Sequence, residues 1–213
     1  MSTPRERLRH ARLYLCAPAC DPALLEAALR GGVDVIQLRD RTLDDGGIRR
    51  AAAAFRAAAD AAGALFVLND RPDLAVEVGA DGVHVGQDDA APAEARTVVG
   101  PDRIVGRSTH APAQGAAAAG DPDVDYLSIG PVHATPTKPG RVPTGLDYVR
   151  WAAGNVGKPW FAIGGLNKDN VHEVTLRGAS RIVVVRAITD ADDPEAAARA
   201  LRDALEGRVG AGR

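Results

Sequence analysis

The chain has 213 residues, enough for one or two domains with a sizeable hydrophobic core. Its formal net charge is −2 and only 4% of its residues are aromatic, so the composition disfavours nucleic-acid and anionic-membrane partners. The two cysteines, Cys16 and Cys20, are too few for a disulfide framework and are predicted to act as small hydrophobes. The charged N-terminal residues lack a following apolar segment and no stretch is long enough for a membrane span, so we expect a cytoplasmic protein.

Short apolar, β-branched runs alternate with helical segments from one end of the chain to the other. The predicted strands are Arg12–Cys16, Val33–Arg39, Leu65–Asn69, Gly82–Val85, Arg103–Arg107, Asp125–Ile129, Pro159–Ile163 and Arg181–Val185. The predicted helices are Ala23–Arg30, Asp44–Ala62, Pro72–Val78, Pro92–Val98, Pro112–Ala119, Leu146–Ala153, Asn167–Arg177 and Pro194–Leu205.

Eight strands that alternate with eight helices are typical of a (β/α)₈ TIM barrel, an α/β fold. The rival is a doubly wound open sheet that binds a dinucleotide. The turn after the first strand, Cys16-Ala-Pro-Ala-Cys20, lacks the glycine-rich fingerprint of that fold. No change in composition marks a linker, so we predict one barrel domain over residues 1–213, with a core from about 12 to 205 and frayed termini.

Polar residues follow nearly every predicted strand, where such a barrel has its active site. Asp70 follows the third strand, and Asp88 and Asp89 follow the fourth. Because neighbouring parallel strands end at the same rim, these carboxylates can meet, and Mg²⁺ is often held by one or two carboxylates together with substrate phosphates. The pattern alone does not choose between Asp88 and Asp89, and either could instead be an ordinary solvated loop residue.

Glycines after the seventh strand indicate a phosphate site. Gly164 and Gly165 let the backbone approach an anion, and barrels commonly bind phosphate between the loops that follow strands seven and eight. The alternative is an ordinary glycine turn. A second candidate for anion binding follows strand six, where Thr135 and Thr137 offer hydroxyl donors and Lys138 offers a cation. The alternative is that this segment is a flexible proline-rich loop.

Two arginines after the second strand, Arg39 and Arg41, suit a diphosphate through their guanidinium forks. They point the same way or opposite ways, depending on how far the strand continues. Two histidines could serve as a general base: His84 lies within a strand, where a structural role is favoured, and His110 follows the fifth strand. His133 lies in the long loop after the sixth strand and is left without a role.

These motifs, in this order, resemble the thiamine-phosphate synthase family over about residues 12 to 205. The matching segments are Gln37–Arg41, Leu68–Asp70, Gly79–Asp89, Gly106–His110, Ile129–Pro131, Thr135–Lys138 and Ala162–Gly165. Each segment is weak evidence alone, and the series is specific.

The resemblance implies that Asp70 and Asp89 hold Mg²⁺, which would select Asp89 over Asp88. It implies catalytic roles for Arg39, Ser108 and Lys138. It also implies a substrate-binding set made of Gln37, Leu38, Arg39, Asp40, Arg41, Asn69, Ser108, Thr135, Pro136, Thr137, Lys138, Gly165, Val185 and Arg186. Two groups within this set have different ligands. The thiazole phosphate would be surrounded by Thr135, Thr137, Gly165, Val185 and Arg186. The aminopyrimidine diphosphate would be contacted by Gln37, Arg39, Arg41, Asn69, Ser108 and Lys138.

The implied reaction joins an aminopyrimidine diphosphate to a thiazole phosphate and gives thiamine monophosphate and pyrophosphate. The implied partners are these small molecules, and the possibility of a homo-oligomer stays open. Two residues depart from the family pattern: Arg41 stands where lysine is frequent, and Arg186 where serine is frequent. Two rivals are a sister enzyme that isomerises the thiazole phosphate, with His110 as its acid or base, and a non-catalytic barrel that only binds it.

Overall fold

The structure is a computed structural model that describes residues 2–135 and 142–207. Within these residues the strands are β1 (Leu13–Ala17), β2 (Val35–Leu38), β3 (Leu65–Asn69), β4 (Gly82–Val85), β5 (Ile104–Thr109), β6 (Tyr126–Ile129), β7 (Trp160–Ile163) and β8 (Ile182–Val184). All neighbours are parallel, and β1 pairs with β8 to close the barrel. The predicted (β/α)₈ barrel is confirmed.

The helices surround this barrel. They are α1 (Pro4–His10), α2 (Pro22–Arg30), α3 (Asp45–Ala62), α4 (Pro72–Glu77), α5 (Pro92–Val99), α6 (Pro112–Gly120), α7 (Gly145–Asn155), α8 (Val171–Thr175), α9 (Arg186–Thr189) and α10 (Pro194–Leu205). The long α3 ends at Ala62 as predicted and begins one residue later than predicted: Asp44 is its N-cap, whose side chain accepts the Gly47 N–H, and Gly63 ends the helix with φ 66°. Among the described residues, no helix combines the length and apolarity needed to cross a bilayer.

Two apolar layers explain why most strand residues are buried. One layer fills the barrel interior, where the Phe161 ring lies edge-on to Tyr14 and Tyr126 at centroid distances of 5.4 and 5.7 Å. The other lies between the strands and the apolar faces of the helices, with Leu25 and Phe55 among its members. Because each strand faces apolar groups on both sides, continuous apolar runs replace the alternation seen in half-exposed strands.

Three aspartates close the N-terminal end of the barrel, which we call the floor. Asp34, Asp81 and Asp125 precede β2, β4 and β6, and each accepts a backbone N–H from the preceding strand or its entry. Each also pairs with at least one arginine, and the ion pairs are Asp34–Arg202, Asp81–Arg7, Asp81–Arg56, Asp125–Arg5 and Asp125–Arg96. The floor therefore compensates its partly buried carboxylates with cations and amides.

Three helices, α1, α8 and α9, differ from the prediction. Helix α1 was not expected, although its capping box joins Thr3 and Glu6. The helix predicted over Asn167–Arg177 is shorter: residues 167–170 form turns, and only α8 is helical. The reason is local. The Asn167 side-chain oxygen accepts the backbone N–H groups of Asp169 and Asn170, and turns closed by such bonds compete with a helix.

Candidate active site

The C-terminal rim of the barrel, which we call the mouth, collects polar side chains from several strands. Gln37 on β2, Asn69 on β3 and Ser108 on β5 stand at or near the ends of their strands. Gln37 is only 4% exposed, and its side-chain amide nitrogen is buried without a hydrogen-bond partner among the described residues. A buried donor without a partner costs free energy, so it indicates a place where a bound molecule supplies the acceptor.

Asp70 and Asp89 lie together at this rim. Asp70 adopts the left-handed conformation with φ 60°, and its backbone N–H donates to the His84 carbonyl at 2.9 Å. The loop after β4 turns so that the Gly86 N–H donates to Asp89 Oδ2 at 2.8 Å. Burial, with a hydrogen bond and repulsion from Asp89, raises the pKa of Asp70 to about 6. The neighbouring Asp88 is exposed, so the geometry favours Asp89 as the partner.

The donor set fits Mg²⁺. Two hard carboxylate oxygens converge, and their mutual repulsion is the condition that a divalent cation relieves. Within the described chain, no third acidic, histidine or cysteine side chain joins them in a metal-binding cluster. A pair of this kind leaves most of the coordination shell to water and substrate oxygens, as Mg²⁺ sites at phosphates commonly do.

The arginines of the β2 loop flank this pair. The strand ends at Leu38, so Arg39 and Arg41 both lie in the loop. The Arg41 Nη2 atom lies 3.5 Å from Asp70 Oδ2, and its side chain is 66% exposed. The positive charges of Arg41 and Arg39 both act to lower the pKa of Asp70, although burial and Asp89 outweigh them. The loop thus places two cations beside the carboxylates, and the Arg41 side chain is largely exposed to solvent.

Two predicted contacts of the same loop have other partners in the structure. The Leu38 side chain packs in the outer layer against the helices, so only its backbone can face the mouth. The Asp40 carboxylate accepts the Thr42 N–H and hydroxyl at 2.9 and 2.7 Å and the Ala19 N–H at 3.3 Å. These bonds lower the pKa of Asp40, with the Thr42 hydroxyl first among them, and they suit a residue that braces the loop.

Ser108 ends a chain of buried hydrogen bonds inside the barrel. Its Oγ lies 2.9 Å from His84 Nε2, and His84 Nδ1 lies 2.9 Å from the Tyr126 hydroxyl. Tyr126 in turn lies 3.0 Å from the Tyr14 hydroxyl. Both ring nitrogens of His84 are therefore engaged, which agrees with the structural role favoured from the sequence. The tyrosine pair was not predicted, because polar atoms at the centre of an apolar strand leave no pattern in the sequence.

The glycines after β7 are held against the loop after β6. Gly164 and Gly165 have φ 108° and 65°. A Cβ atom on Gly164 would lie 2.5 Å from the Pro131 Cα atom, and one on Gly165 would lie 2.8 Å from the His133 Cβ atom. These positions accept glycine only, which keeps backbone at the surface of the rim where an anion can approach.

The short helix α9 begins directly after β8 and was not predicted. Barrels commonly bind phosphate with the loops after strands seven and eight and the first turn of such a helix. Val185 precedes this helix and is partly buried. The Arg186 Nε atom donates to Asp190 Oδ2 at 2.7 Å along the exposed side of the helix. The guanidinium is thus turned along α9, and the backbone N–H groups of the first turn remain at the rim.

Residues 135–138 are the remaining members of the predicted substrate-binding set. Thr135 is partly buried in the loop after β6. Pro136, Thr137 and Lys138 lie outside the described residues. The His110 ring bonds to the Gly130 carbonyl at 2.5 Å, and the His133 Nε2 atom lies 3.5 Å from a Glu173 carboxylate oxygen.

The family model for thiamine monophosphate synthase matches residues 13–188. The chain belongs to that family. The matched span runs from the first residue of β1 into α9, so it contains the acidic pair, the β2 loop and the glycines after β7.

Relatives in the thiamine monophosphate synthase family match nearly end to end. A thiamine-phosphate synthase of Thermobifida fusca is 52% identical over 209 residues, covering 95% of this chain and 96% of that protein. One of Thermus thermophilus is 56% identical over 183 residues, covering 85% and 87%. A solved thiamine phosphate pyrophosphorylase from Pyrococcus furiosus has a TM-score of 0.85 at 31% identity, covering 97% and 99%. The chain is therefore an enzyme of this family.

Proposed function

We propose that the enzyme is a transferase that joins an aminopyrimidine diphosphate to a thiazole phosphate, giving thiamine monophosphate and releasing pyrophosphate. The observation that carries this proposal within the family is the convergence of Asp70 and Asp89 beside Arg41. An isomerase of the thiazole phosphate has no diphosphate to bind and no use for such a pair. The sister reaction and the non-catalytic binding barrel are thereby disfavoured.

The diphosphate subsite is assigned to the mouth between β2 and β5. Asp70 and Asp89 would hold Mg²⁺, and when bound this ion would supply positive charge at the diphosphate oxygens. Arg39 and Arg41 lie beside the pair and would bind oxygens that the two carboxylates repel. Lys138, outside the described residues, keeps its predicted role as a further cation, so that charge developing on the leaving group is stabilised.

The rest of the pyrimidine substrate is assigned to the polar groups of the barrel interior. Gln37 offers its buried amide N–H to an acceptor on the substrate. Asn69 on β3 and Ser108 on β5 stand at the same end of the barrel, on either side of β4. Because the His84 ring holds the Ser108 hydroxyl from beneath, that hydroxyl is positioned before the substrate arrives.

The chemistry requires one bond to break and one to form. The bond between the methylene carbon and the diphosphate oxygen breaks, and its electron pair leaves with pyrophosphate. The thiazole nitrogen then forms a bond to that carbon with its lone pair, which gives a thiazolium product. Departure comes before attack because the aminopyrimidine stabilises a cation at the methylene carbon. No proton is transferred at the reacting atoms, so neither a protein nucleophile nor a general base is needed.

The thiazole phosphate is assigned to the rim formed by Gly165 and the start of α9, with Thr135 and Val185 as further contacts. Thr137, outside the described residues, keeps its predicted role in binding this phosphate. Backbone N–H groups at Gly165 and Arg186 can approach phosphate oxygens closely. The Arg186 guanidinium forms an ion pair with Asp190, and this bond lowers the pKa of the Asp190 carboxyl. The arginine therefore offsets a negative charge near the phosphate while its backbone does the binding.

The test is pyrophosphate release by the purified protein. We expect release only when both substrates and Mg²⁺ are present. Isomerisation of the thiazole phosphate with no pyrophosphate would establish the sister reaction. Binding of thiazole phosphate with neither product would establish a non-catalytic barrel.

A further inference from the structure

The loop after β4, residues 86–90, carries Asp89 and is attached to the next strand by two side-chain contacts. The Gln87 Nε2 atom donates to the Ser108 carbonyl oxygen at 2.6 Å. The Arg107 Nη1 atom donates to the Gly86 carbonyl oxygen at 2.5 Å and to the Ala90 carbonyl oxygen at 3.3 Å. Gly86 and Ala90 are the two ends of the loop, so one guanidinium nitrogen joins both of them.

Gly86 transmits this contact to the carboxylate. Its N–H donates to Asp89 Oδ2 at 2.8 Å, and its carbonyl also accepts the Asp89 backbone N–H at 3.4 Å. A Cβ atom on Gly86 would lie 2.6 Å from Asp89 Oδ2, so the peptide and the carboxylate are in close contact. The orientation of the Gly86 peptide therefore sets where the Asp89 carboxylate stands.

Arg107 is a residue of β5 and does not belong to the loop. It pairs in register with Val85, the last residue of β4, and its side chain is partly buried against the loop. Hydrogen bonds from a guanidinium to carbonyl oxygens are stronger than bonds between neutral groups. Asp70 and Asp89 carry like charges and repel each other without a cation, so the loop needs an attachment that resists their separation.

We infer that Arg107 is a positioning residue for the metal-binding pair: by holding the Gly86 and Ala90 carbonyls, it keeps the Asp89 carboxylate next to Asp70. The inference rests on the proposed function, because it concerns how the same acidic pair is prepared for Mg²⁺. Arg107 itself touches neither the substrates nor the reacting atoms of the proposed reaction.

Arg103 provides a matched control. It lies one residue before the same strand, at the floor, and donates to the Ala80 and Val99 carbonyl oxygens at 3.0 and 3.2 Å. An Arg103→Met variant therefore loses the same kind of contact at the opposite end of the barrel. If Arg107 only stabilised the fold, Arg103→Met and Arg107→Met would behave alike.

The experiment compares the wild type with Arg107→Met, Arg107→Lys and Arg103→Met. The first readout is the Mg²⁺ concentration that gives half-maximal pyrophosphate release, with the KM for thiazole phosphate measured alongside. We expect Arg107→Met to need roughly tenfold more Mg²⁺ with an unchanged KM, the size of effect typical when a group supporting a metal ligand is removed. Arg107→Lys should restore the wild-type requirement, since one ammonium can donate to both carbonyls.

The second readout uses the metal-free protein and needs no activity. Hydrogen exchange of peptides that span residues 86–90 should be faster in Arg107→Met than in the wild type and in Arg103→Met. If Arg107→Met released pyrophosphate as fast as the wild type and needed no more Mg²⁺, the role of Arg107 would be overturned while the proposed function would stand. Equal exchange in residues 86–90 of the two methionine variants would also overturn it. Failure of the wild type to release pyrophosphate would instead remove the proposed function.

Discussion

At the floor of the barrel, Asp34, Asp81 and Asp125 face arginines and backbone amides, whereas at the mouth Asp70 and Asp89 face each other. Both ends use aspartates beside parallel strands, so residue type does not distinguish them. The surroundings do: each of the three floor carboxylates has an arginine partner, whereas the two carboxylates of the mouth repel each other. The difference indicates that the floor stabilises the fold, and it supports the proposal that the mouth binds the ligands.

The largest effect should come from removing the charge of one carboxylate at the mouth. We expect Asp89→Asn to lower the rate of pyrophosphate release roughly 100- to 1000-fold, the cost of losing one preorganised electrostatic contact, with the fold retained. The control is Asp88→Asn, because that neighbour is exposed. Steady-state kinetics with both substrates would check it, and a larger loss in Asp88→Asn would reverse the assignment.

The next effect should come from neutralising the floor. Asp125 is 13% exposed in its side chain and pairs with Arg5 and Arg96 at 2.7 and 2.6 Å. Asp125→Asn should lower the free energy of unfolding by about 3 kcal/mol, because two arginines lose their shared anion. Chemical denaturation would measure this change.

The floor prediction has an internal control in Asp60. That carboxylate pairs with Arg56 at 2.8 Å but is 68% exposed, so Asp60→Asn should change the free energy of unfolding by less than about 1 kcal/mol. Equal losses in Asp60→Asn and Asp125→Asn would mean that burial of the floor pairs does not matter. Both variants should keep wild-type turnover at temperatures where they remain folded.

A smaller effect is expected at the glycines of the phosphate rim. Gly165 and Gly63 have nearly the same φ, 65° and 66°, but only Gly165 is crowded, since nothing lies within 4 Å of a Cβ atom on Gly63. Gly165→Ala should raise the KM for thiazole phosphate roughly tenfold by displacing the rim. Gly63→Ala should cost about 1 kcal/mol of stability without changing that KM. Equal KM values in the two variants would argue against a phosphate site at Gly165.

The smallest effect concerns the pH dependence of stability without metal. The pKa of Asp70 is raised to about 6 by burial and by Asp89, so the folded chain binds this proton more tightly than the unfolded chain. Stability should therefore fall, on the order of 1 kcal/mol, as the pH rises from about 4 through about 6. Thermal melts should show that Asp70→Asn abolishes this fall and that Mg²⁺ opposes it. A metal-free wild type that gains stability over this range through Asp70 would contradict the repulsion.

The eight strands could be predicted because each is a continuous apolar run bounded by turn residues such as Gly and Pro, and a short stretch of sequence is enough to recognise such a run. Helix α9 could not, since four residues carry no periodicity. Helix α1 left a readable signal in its Thr3–Glu6 capping box, but with one buried residue, Leu8, it has no apolar stripe. Short elements are defined by what they pack against, and the local sequence does not contain that information.

The candidate site was predictable to the level of the strand end. Neighbouring strands bring Asp70 near the β4 loop, but the choice of Asp89 over Asp88 depends on a turn closed by Gly86. The orientation of Arg186 likewise depends on Asp190, one helical turn away. The roles assigned to Thr137 and Lys138 stay predictions, because these residues lie outside the described chain.

The pairing of β1 with β8 has a consequence for how the protein is made. Leu13 pairs with Ile182, and the Arg181 guanidinium binds the Ala11 carbonyl at 3.1 Å. During synthesis the first strand therefore emerges long before its partner, and the ring cannot close until more than four fifths of the chain has left the ribosome. Until then both β1 and the latest completed strand expose an unpaired edge, which is a template for association between nascent chains. Translation that stops before Ile182 would leave such an edge permanently open.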